Sequence, residues 1–585
     1  MKFIESLMEF QRRVLFQARA DSIKDKLFFT NIFMSNTNEM FQKYDMTPVM
    51  NNYIDMVGEC IHNYEQVLSG LNEKEEICID KEDSFESRHN SIFKIKPLIQ
   101  TRYLQLESAY STVSNLFKDD TVYYVSLLEN STVEINFIDP KASVYSEPFN
   151  MENKGVTTYW PTLSTILSNI SVIDGNDVIA FKVTHSVKVF EDEINKTKFR
   201  LITKVEYSSN TETMSKLATL FGNDALIIRN PFLYTKDLEY ICNKAFPTNI
   251  ETQIYRPIEA LDIMNDDMII EYPSDTFDDY LQFLKSAVSN PETKSIYMTI
   301  YRIGKDPSIY YILREAVRKG IEVTVNIELQ ARGDEVDNVI WMKEFQDVGI
   351  NVLTYQCFKM KIHCKLTLVE FNNGKSVAQI GTGNYHTKTS SQYTDLNLIT
   401  SDDKICNNIK KTFTKLFKYK PVCFNSDLFL ITQFNFKMSF KQLVEEQTRL
   451  KSNGYICIKC NTLSNAFIEQ CLQKAADEGV KIDLIIRGAC TWCPPQLGST
   501  VKIKSIVWDK LEHSRVMCFG SDNPKIYIGS LDLVTSKIEK RIETMVKITS
   551  PYIIVQMINY LNRYITTTKG SWVMQSDGTY RKEIQ

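Results

Sequence analysis

A histidine followed two residues later by a basic residue occurs twice in this chain, and both copies lead into the same series of elements. The first copy is Lys361-Ile362-His363-Cys364-Lys365, and the second is Glu512-His513-Ser514-Arg515. An apolar run follows each copy and ends in a glycine turn, Gly381-Thr382-Gly383-Asn384 in the first and Gly529-Ser530-Leu531-Asp532 in the second. Paired imidazoles with neighbouring cations favour chemistry on a phosphate group.

The repeat extends upstream of the histidines. In both copies a predicted strand precedes a helix that ends at a glycine (Gly320 and Gly479), and a second strand follows. This alternation predicts βαβ units on a parallel sheet, where ligands bind at the carboxyl ends of the strands. Three arginines, Arg302, Arg332 and Arg487, occur at predicted strand ends. We therefore expect arginines and histidines on one rim of each half, with the two halves facing each other across one pocket.

The glycine turns are also candidates for phosphate contacts. Backbone amides in such turns can point at phosphate oxygens without obstruction by side chains. Asn384 and Asp532 occupy equivalent positions in the two turns. We expect each of them to orient the histidine of the opposite half.

Composition limits the classes of partner. The chain has 585 residues, enough for several domains, and 43% hydrophobic and 24% charged residues, as in globular proteins. A formal net charge of −4 disfavours a broad nucleic-acid surface, so no nucleic-acid partner is expected. The start of the sequence does not resemble a secretory signal, and no apolar stretch is long enough to span a bilayer. Only peripheral membrane association is compatible with this pattern.

The cysteines indicate a reducing compartment. Thirteen cysteines are scattered along the chain, which predicts free thiols and a cytoplasmic location. Two Cys-x-x-Cys pairs, Cys457/Cys460 and Cys490/Cys493, have the spacing of zinc ligands. The first pair falls in a predicted strand, where residues three apart face opposite sides. Zinc is therefore disfavoured.

A coarse reading divides the chain into four regions. Residues 1–95 read as a helical N-terminal domain and residues 96–250 as a mixed head domain. Residues 251–427 and 428–585 contain the two halves of the repeat. The predicted fold class is a mixed α/β multidomain protein.

Several runs in this sequence resemble one known family, the large polyphosphate kinases. The resemblance is dense over about 265–550 and weak over 96–250, a region that is short relative to the family. The runs that carry it are YRIGKD, IELQARGDE, KIHCKLTLVE, IGTGNYHTKTSSQYTD, LIIRGAC, LEHSRV and KRIE. The resemblance implies a helical domain, an α+β head domain and two related C-terminal domains similar to phospholipase D.

The resemblance also implies an activity. The family makes inorganic polyphosphate from ATP through a phosphohistidine, which implies ATP, ADP and polyphosphate as ligands and Mg²⁺ as cofactor. Family members associate with themselves, so a homo-oligomer is expected.

Individual residues can be carried over from the family by position. His363 would be the phosphorylated histidine, and His513 a second catalytic and nucleotide-binding residue. Arg302 and Arg332 fall where the family holds magnesium with phosphate, but a guanidinium cannot ligate a cation, so we interpret them as phosphate clamps. The expected nucleotide- or phosphate-binding residues are Asn36, Tyr393, Arg487, His513, Lys365, Arg515 and Asn384.

The chain departs from the family at a few positions. Gln11 replaces an Asn of the first helix, and Leu533 replaces a Trp in the second turn. The pair Ser536-Lys537 stands where the family has Arg-Asn. These changes affect the expected handling of nucleotide and acceptor.

Two other functions remain open from the sequence. A phospholipase D-like phosphodiesterase, acting on lipid or nucleic acid, also uses two histidines. Its motif requires an Asp where this chain has Glu370 and Gly520. A non-catalytic binding protein that retains the fold is the other alternative.

Overall fold

A computed structural model describes most of the chain outside the head region. The described residues are 3–19, 22–72, 77–79, 99–105, 122–127, 132–138, 149–151, 156–160, 178–189, 198–207, 226–230, 238, 242, 267–303, 307–331, 335–354, 360–385 and 387–583. Arg332 and His386 lie outside these residues. The chain forms two compact units, one of residues 1–10 and 254–585, the other of residues 11–253.

The unit of residues 11–253 combines helices with two mixed sheets. Its helices are α1 (Phe3–Gln17, shared with the other unit), α2 (Ile23–Lys43) and α3 (Met50–Asn72), with a 3₁₀ turn at Thr47–Val49. Strands β1 (Ile77–Ile79), β5 (Phe149–Met151) and β6 (Val156–Trp160) form a small sheet in the order β1-β6-β5. A six-stranded sheet has the order β2-β4-β3-β7-β8-β9, from β2 (Ile99–Gln105), β3 (Val122–Leu127), β4 (Thr132–Ile138), β7 (Val178–Val189), β8 (Lys198–Tyr207) and β9 (Leu226–Arg229). The β1–β6 and β8–β9 pairs are parallel, and the other pairs are antiparallel.

The other unit contains the two halves of the repeat, each built on its own sheet. The main sheet of the first half has the order β10-β17-β16-β15-β11-β12-β13. Its elements are β10 (Met268–Tyr272), α4 (Phe277–Ser289), β11 (Thr293–Ile300), α5 (Ser308–Arg318), β12 (Glu322–Ile327), α6 (Glu335–Asp347), β13 (Asn351–Leu353), β14 (Lys361–Ile362), β15 (Lys365–Phe371), β16 (Ser376–Gly381), α7 (Thr387–Gln392), β17 (Tyr393–Thr400) and α8 (Asp403–Phe417).

The second half repeats this strand order and adds two strands. Its sheet has the order β18-β28-β25-β24-β19-β21-β22-β29-β30. Its elements are β18 (Phe429–Ile431), α9 (Phe436–Leu450), a 3₁₀ turn (Lys451–Asn453), β19 (Tyr455–Cys460), β20 (Leu463–Ser464), α10 (Ala466–Asp477), β21 (Lys481–Ile486), β22 (Val501–Ile506), β23 (Leu511–Glu512), β24 (Arg515–Phe519), β25 (Lys525–Gly529), β26 (Leu533–Val534), α11 (Thr535–Lys540), β27 (Arg541–Ile542), β28 (Thr544–Lys547), α12 (Pro551–Thr566), β29 (Ser571–Met574) and β30 (Tyr580–Lys582).

The expectation of a parallel sheet is only partly correct. The βαβ units give parallel pairs between β11 and β12, between β12 and β13, and at the equivalent places in the second half. The strand that follows each histidine runs antiparallel to the first strand of its βαβ unit. In the first half a hairpin then returns the chain through Gly374, whose φ of +85° favours glycine. Both sheets are therefore mixed.

Local sequence determines where the helices begin and end. Asp402 accepts hydrogen bonds from the backbone amides of Lys404 (2.8 Å) and Ile405 (3.1 Å) and caps α8. After α5 and α10, the chain turns at Gly320 and Gly479, which have φ values of +80° and +84°. These glycines confirm the helix ends that the sequence predicts.

One apolar core is common to both halves of the repeat. It joins Leu366 and Leu398 of the first half to Val516 and Ile528 of the second. Helix α12 packs against it through Ile553 and further residues of its buried face. In the described part of the chain, no helix combines the length and apolar content needed to cross a bilayer.

Truncation of this common core should destabilise the unit. Ile553 is fully buried, so we expect Ile553→Ala to lower the free energy of unfolding by about 2–5 kcal/mol. Val555 lies on the same helix and is 57% exposed. Val555→Ala should change it by less than about 0.5 kcal/mol. Urea-induced unfolding, followed by circular dichroism, measures both, and equal losses would contradict the placement of α12.

Candidate active site

Two short parallel strand pairs bring the histidines together. Strand β14, just before His363, pairs with β27, and β23, just before His513, pairs with the start of β17. The backbone amides of His363 and Cys364 both donate to the carbonyl oxygen of Ile542, at 3.0 Å. Those of His513 and Ser514 donate to the carbonyl oxygen of Thr394, at 3.3 and 2.8 Å. Each histidine is thus held by the half of the repeat to which it does not belong.

A carboxylate on each partner strand orients the opposite imidazole. Nδ1 of His363 lies 2.9 Å from both carboxylate oxygens of Glu543. Nδ1 of His513 lies 2.9 Å from both carboxylate oxygens of Asp395. Because each carboxylate accepts a hydrogen bond from Nδ1, the lone pair of each ring is on Nε2.

The expectation that Asn384 and Asp532 orient the histidines is therefore wrong. The Asp532 carboxylate instead accepts from Arg515 Nη2 (3.1 Å), Lys537 Nζ (2.6 Å) and the backbone amide of Asn461 (2.8 Å). The side-chain oxygen of Asn384 is buried and has no hydrogen-bond partner among the described residues. It is available to a ligand.

The sequence pattern held a signal for the two carboxylates. Asp395 ends the run QYTD and Glu543 ends KRIE, and both runs follow a six-residue helix, α7 or α11. The two acids thus occupy equivalent repeat positions. Tyr393 and Arg541 each lie two residues before the acid of their half, so they also occupy equivalent repeat positions. Asp395, Glu543 and Arg541 are not among the site residues predicted from the sequence.

Gly383 in the first turn makes room for the acid Asp395. A Cβ atom on Gly383 would lie 2.1 Å from Oδ2 of Asp395. The backbone amide of Thr382 donates to the carbonyl oxygen of Leu396 at 2.9 Å, and its hydroxyl donates to Asp395 at 2.6 Å. The Thr382 amide is therefore committed to the strand, and the expected phosphate contacts of the other turn amides stay a prediction.

The basic residue of each motif lies against its own histidine. Lys365 Nζ is 3.0 and 3.2 Å from the two ring nitrogens of His363. Arg515 Nη1 is 3.1 Å from both ring nitrogens of His513 and donates to the carbonyl oxygen of Thr382 at 3.0 Å. Both cations are almost fully buried.

Two of the predicted strand-end arginines, Arg302 and Arg487, belong to the described residues. The Tyr301 ring meets the His363 ring edge-on at 4.6 Å, and the Arg302 guanidinium lies 5.9 Å from the Tyr301 ring. Arg487 follows β21, and its Nε and Nη1 are buried without a hydrogen-bond partner among the described residues. Burial, together with Arg515, lowers the pKa of Arg487. A buried guanidinium with free donors suits an anionic ligand.

Of the remaining predicted residues, Tyr393 lies beside a histidine, whereas Asn36 lies in the other compact unit. The Tyr393 ring lies 5.1 Å from the His513 ring, at 59°. Asn36 lies in the unit of residues 11–253, where its amide donates to Gln11 Oε1 at 3.2 Å. The Arg332 prediction falls outside the described residues.

The electrostatic environment keeps both imidazoles neutral. Burial and the neighbouring Lys365 and Arg541 lower the pKa of His363 well below its ordinary value. Burial and Arg515 lower the pKa of His513 to about 4, although Asp395 opposes the shift. Burial also lowers the pKa of Lys365 to about 7. A neutral ring whose lone pair is on Nε2 can act as a nucleophile or accept a proton.

Comparison with known proteins gives two family matches. A model described as polyphosphate kinase C-terminal domain 1 matches residues 260–421, and one described as C-terminal domain 2 matches residues 429–585. Together they cover more than half of the chain. Both histidine motifs fall inside them.

Curated relatives and a solved structure agree with these matches. A polyphosphate kinase of Helicobacter pylori (strain J99) is 32% identical over 344 residues, which are 58% of this chain and 50% of that protein. One of Vibrio parahaemolyticus is 35% identical over 346 residues, 56% and 49% of the two chains. This chain thus spans about half the length of the curated relatives it matches. The crystal structure of a Porphyromonas gingivalis polyphosphate kinase is similar with a TM-score of 0.78 at 20% identity, covering 100% of this chain and 96% of that one, which confirms the α/β multidomain fold.

The depressed pKa of His513 predicts how stability depends on pH. Between pH 6.5 and about 4 the unfolded chain binds a proton at this residue and the folded protein does not. Stability should therefore fall as the pH is lowered through this window, by on the order of 3 kcal/mol from His513 alone. His513→Gln should make this pH dependence shallower. Urea unfolding at pH 7 and pH 5 measures it.

His62 provides the matched control because its side chain is 65% exposed. His62→Gln should leave the difference between pH 7 and pH 5 unchanged. If the free energy of unfolding depends on pH equally in the His513→Gln variant and the wild-type protein, His513 is not a buried, neutral residue.

Proposed function

Because this chain belongs to the polyphosphate kinase family, we propose that it transfers the terminal phosphoryl group of ATP to a growing inorganic polyphosphate chain. The transfer proceeds through a phosphohistidine at His363 and is reversible. The observation that carries this proposal is the pair of neutral imidazoles, each oriented by a carboxylate of the opposite half and flanked by a buried cation.

In the first step, Nε2 of His363 attacks the γ-phosphorus of ATP. An N–P bond forms, the bond from phosphorus to the bridging oxygen breaks, and ADP leaves with that electron pair. The transition state is loose and concentrates charge on the equatorial oxygens, so the protein contributes position and positive charge. Arg302, Lys365, Arg487 and Arg515 are the proposed sources of this charge.

In the second step, a terminal oxygen of polyphosphate attacks the phosphohistidine. The N–P bond breaks and a new phosphoanhydride forms, which restores neutral His363. Glu543 keeps the His363 ring in one tautomer and one orientation through both steps. The phosphoanhydrides of ATP and of polyphosphate have similar free energies of phosphoryl transfer. The direction of the reaction therefore follows the concentrations of ATP and ADP.

His513 is proposed to assist the departing or attacking phosphate oxygen. With a pKa of about 4 it is neutral in the ligand-free protein at pH 7. Phosphate anions beside Nε2 would raise its pKa and allow it to take up a proton, which Asp395 would stabilise. Tyr393, beside this ring, is the proposed contact for the nucleotide.

Transfer from a nucleotide requires a divalent cation, and we propose Mg²⁺. The described residues contain no group of three or more His, Cys, Asp or Glu side chains that could hold a metal ion. The carboxylates of Asp395, Glu543 and Asp532 are already bonded to a histidine or a cation. The described residues therefore do not fit a protein-held metal. The ion would arrive on the phosphate oxygens, where Mg²⁺ keeps several waters.

The phosphodiesterase alternative is less well supported. Glu370, at the position of the required Asp, accepts from Ser295 Oγ at 3.1 Å and pairs with Lys410 at 2.5 Å. Gly520, at the other position, has no side chain. Neither position supplies an acid to the histidines. The remaining parts of the proposal are a homo-oligomer, a cytoplasmic location and no nucleic-acid partner.

Incubation with γ-labelled ATP and Mg²⁺ tests the proposal. We expect acid-labile, alkali-stable label on the protein and long-chain polyphosphate in solution. His363→Ala should abolish both, because it removes the attacking nitrogen. His62→Ala, on an exposed helix position, should retain both. Label that survives in His363→Ala would refute the site, and a wild-type protein without label or polymer would refute the function.

The contribution of His513 can be measured in the same assay. If it moves a proton, His513→Ala should lower the rate of polymer formation by roughly two to four orders of magnitude. Release of ADP, followed with ATP labelled in its adenine, and growth of γ-labelled polymer, followed separately, show which step slows. An unchanged rate would reduce His513 to a packing role.

A further inference from the structure

We propose that Lys459 and Glu512 form a buried positioning pair that fixes His513 for the reaction. Lys459 lies in β19 and Glu512 directly precedes His513. The inference rests on the proposed function and assigns a role to two residues that do not touch the reacting atoms. They are positioning residues, because they act only through the backbone and neighbours of His513.

Lys459 contacts the residues on both sides of His513. Its Nζ is 2.7 Å from Oε2 of Glu512 and donates to Oγ of Ser514 at 2.7 Å. Ser514 in turn is hydrogen-bonded to the Tyr560 hydroxyl at 2.6 Å, and the Tyr564 ring lies 4.4 Å from the same Nζ. The Lys459 side chain is 2% exposed. One ammonium group thus spans the peptide that carries the imidazole.

Glu512 extends the pair to the strand that carries Asp395. Its Oε2 accepts a hydrogen bond from the Thr394 hydroxyl at 2.8 Å. The Thr394 hydroxyl oxygen also accepts from the backbone amide of His513 at 3.2 Å. Asp395, the next residue, orients the His513 ring. The pair therefore couples the backbone of His513 to the carboxylate that sets its ring orientation.

The first half of the repeat has uncharged residues at the positions equivalent to this pair. Thr299, Ile362 and Cys364 occupy the positions equivalent to Lys459, Glu512 and Ser514. Thr299 donates to the carbonyl oxygen of Cys364 at 2.8 Å and accepts from the backbone amide of Leu366 at 3.0 Å. The fold alone does not require a buried ion pair here.

A buried ion pair is weak evidence for stability, because desolvation of two charges offsets their attraction. It does fix geometry, because a low-dielectric site holds paired charges at short distance. The ion pair at these two positions beside His513, and the uncharged residues at the equivalent positions beside His363, are consistent with a His513 ring that must keep its position while its own charge changes.

Two single variants and a matched control test this role. Lys459→Met keeps the length of the side chain and removes the charge. Lys504→Met makes the same change at a lysine on β22 of the same sheet, whose side chain is 3% exposed and pairs with Glu583 at 2.8 Å. Lys459→Arg restores a cation that can reach both partners. Thermal unfolding measures the loss of stability in each variant.

For Lys459→Met we expect kcat of phosphate transfer to fall by about 10- to 100-fold, because the imidazole is misplaced. The KM for ATP should stay within about twofold, since the pair does not touch substrate. Lys504→Met should retain kcat within about threefold at a similar loss of melting temperature. Lys459→Arg should recover part of the lost rate. Equal rates for Lys459→Met and Lys504→Met would overturn the proposal.

A spectroscopic readout keeps this test separate from the proposed function. In ¹⁵N-histidine-labelled protein, the His513 ring signal is identified by its loss in His513→Gln. We expect the Nδ1-protonated form in the wild-type protein and in Lys504→Met, and a shifted or broadened signal in Lys459→Met. An unchanged His513 signal in Lys459→Met would overturn the positioning role even if the wild-type protein proved inactive on ATP.

If Lys459→Met does not fold, the double variant Lys459→Met/Glu512→Gln takes its place, because it leaves no unpaired buried charge. We expect it to fold with a kcat still about tenfold or more below that of the wild type and an altered His513 signal. A double variant with wild-type rate and an unchanged signal would overturn the proposal.

Discussion

The crossed strand pairing is the constraint on which the site depends. Two residues of β14 pair with β27, and two residues of β23 pair with the start of β17. These paired segments are short. Each histidine directly follows one of them, and the acid that orients it lies on the partner strand β17 or directly after the partner strand β27. Rotamer freedom of the imidazoles is removed by the fold itself, before any ligand binds.

Positive charge is concentrated at this junction in a chain of net negative charge. Lys365 and Arg515 are almost fully buried against the two rings, and Arg487 keeps two buried nitrogens without protein partners among the described residues. Carboxylates compensate some of this charge, but Asp532, Glu543 and Asp395 are each committed to a cation or a histidine. The two unpaired nitrogens of Arg487 therefore suit an anionic ligand.

Much of the architecture could be predicted from the sequence, because it depends on local pattern. The periodicity of apolar residues and the glycines at helix ends gave the βαβ units, and Arg302 and Arg487 follow their strands as expected. The repeat places Asp395 and Glu543 at equivalent positions, but their role arises from pairing between the two halves, which no local pattern encodes. The close approach of Asp395 to Gly383 could not be predicted for the same reason, because the acid and the turn meet only in the folded sheet.

The crossing of acid and histidine between the halves also bears on how such a site could arise. A single ancestral module would carry an imidazole without the acid that orients it, so it could build this site only as a symmetric homodimer. Duplication and fusion would then free the copies to diverge, as at Tyr393 and Arg541, where one copy presents an aromatic ring and the other a guanidinium. The site thereby has a different side chain on each side, which two identical subunits could not provide.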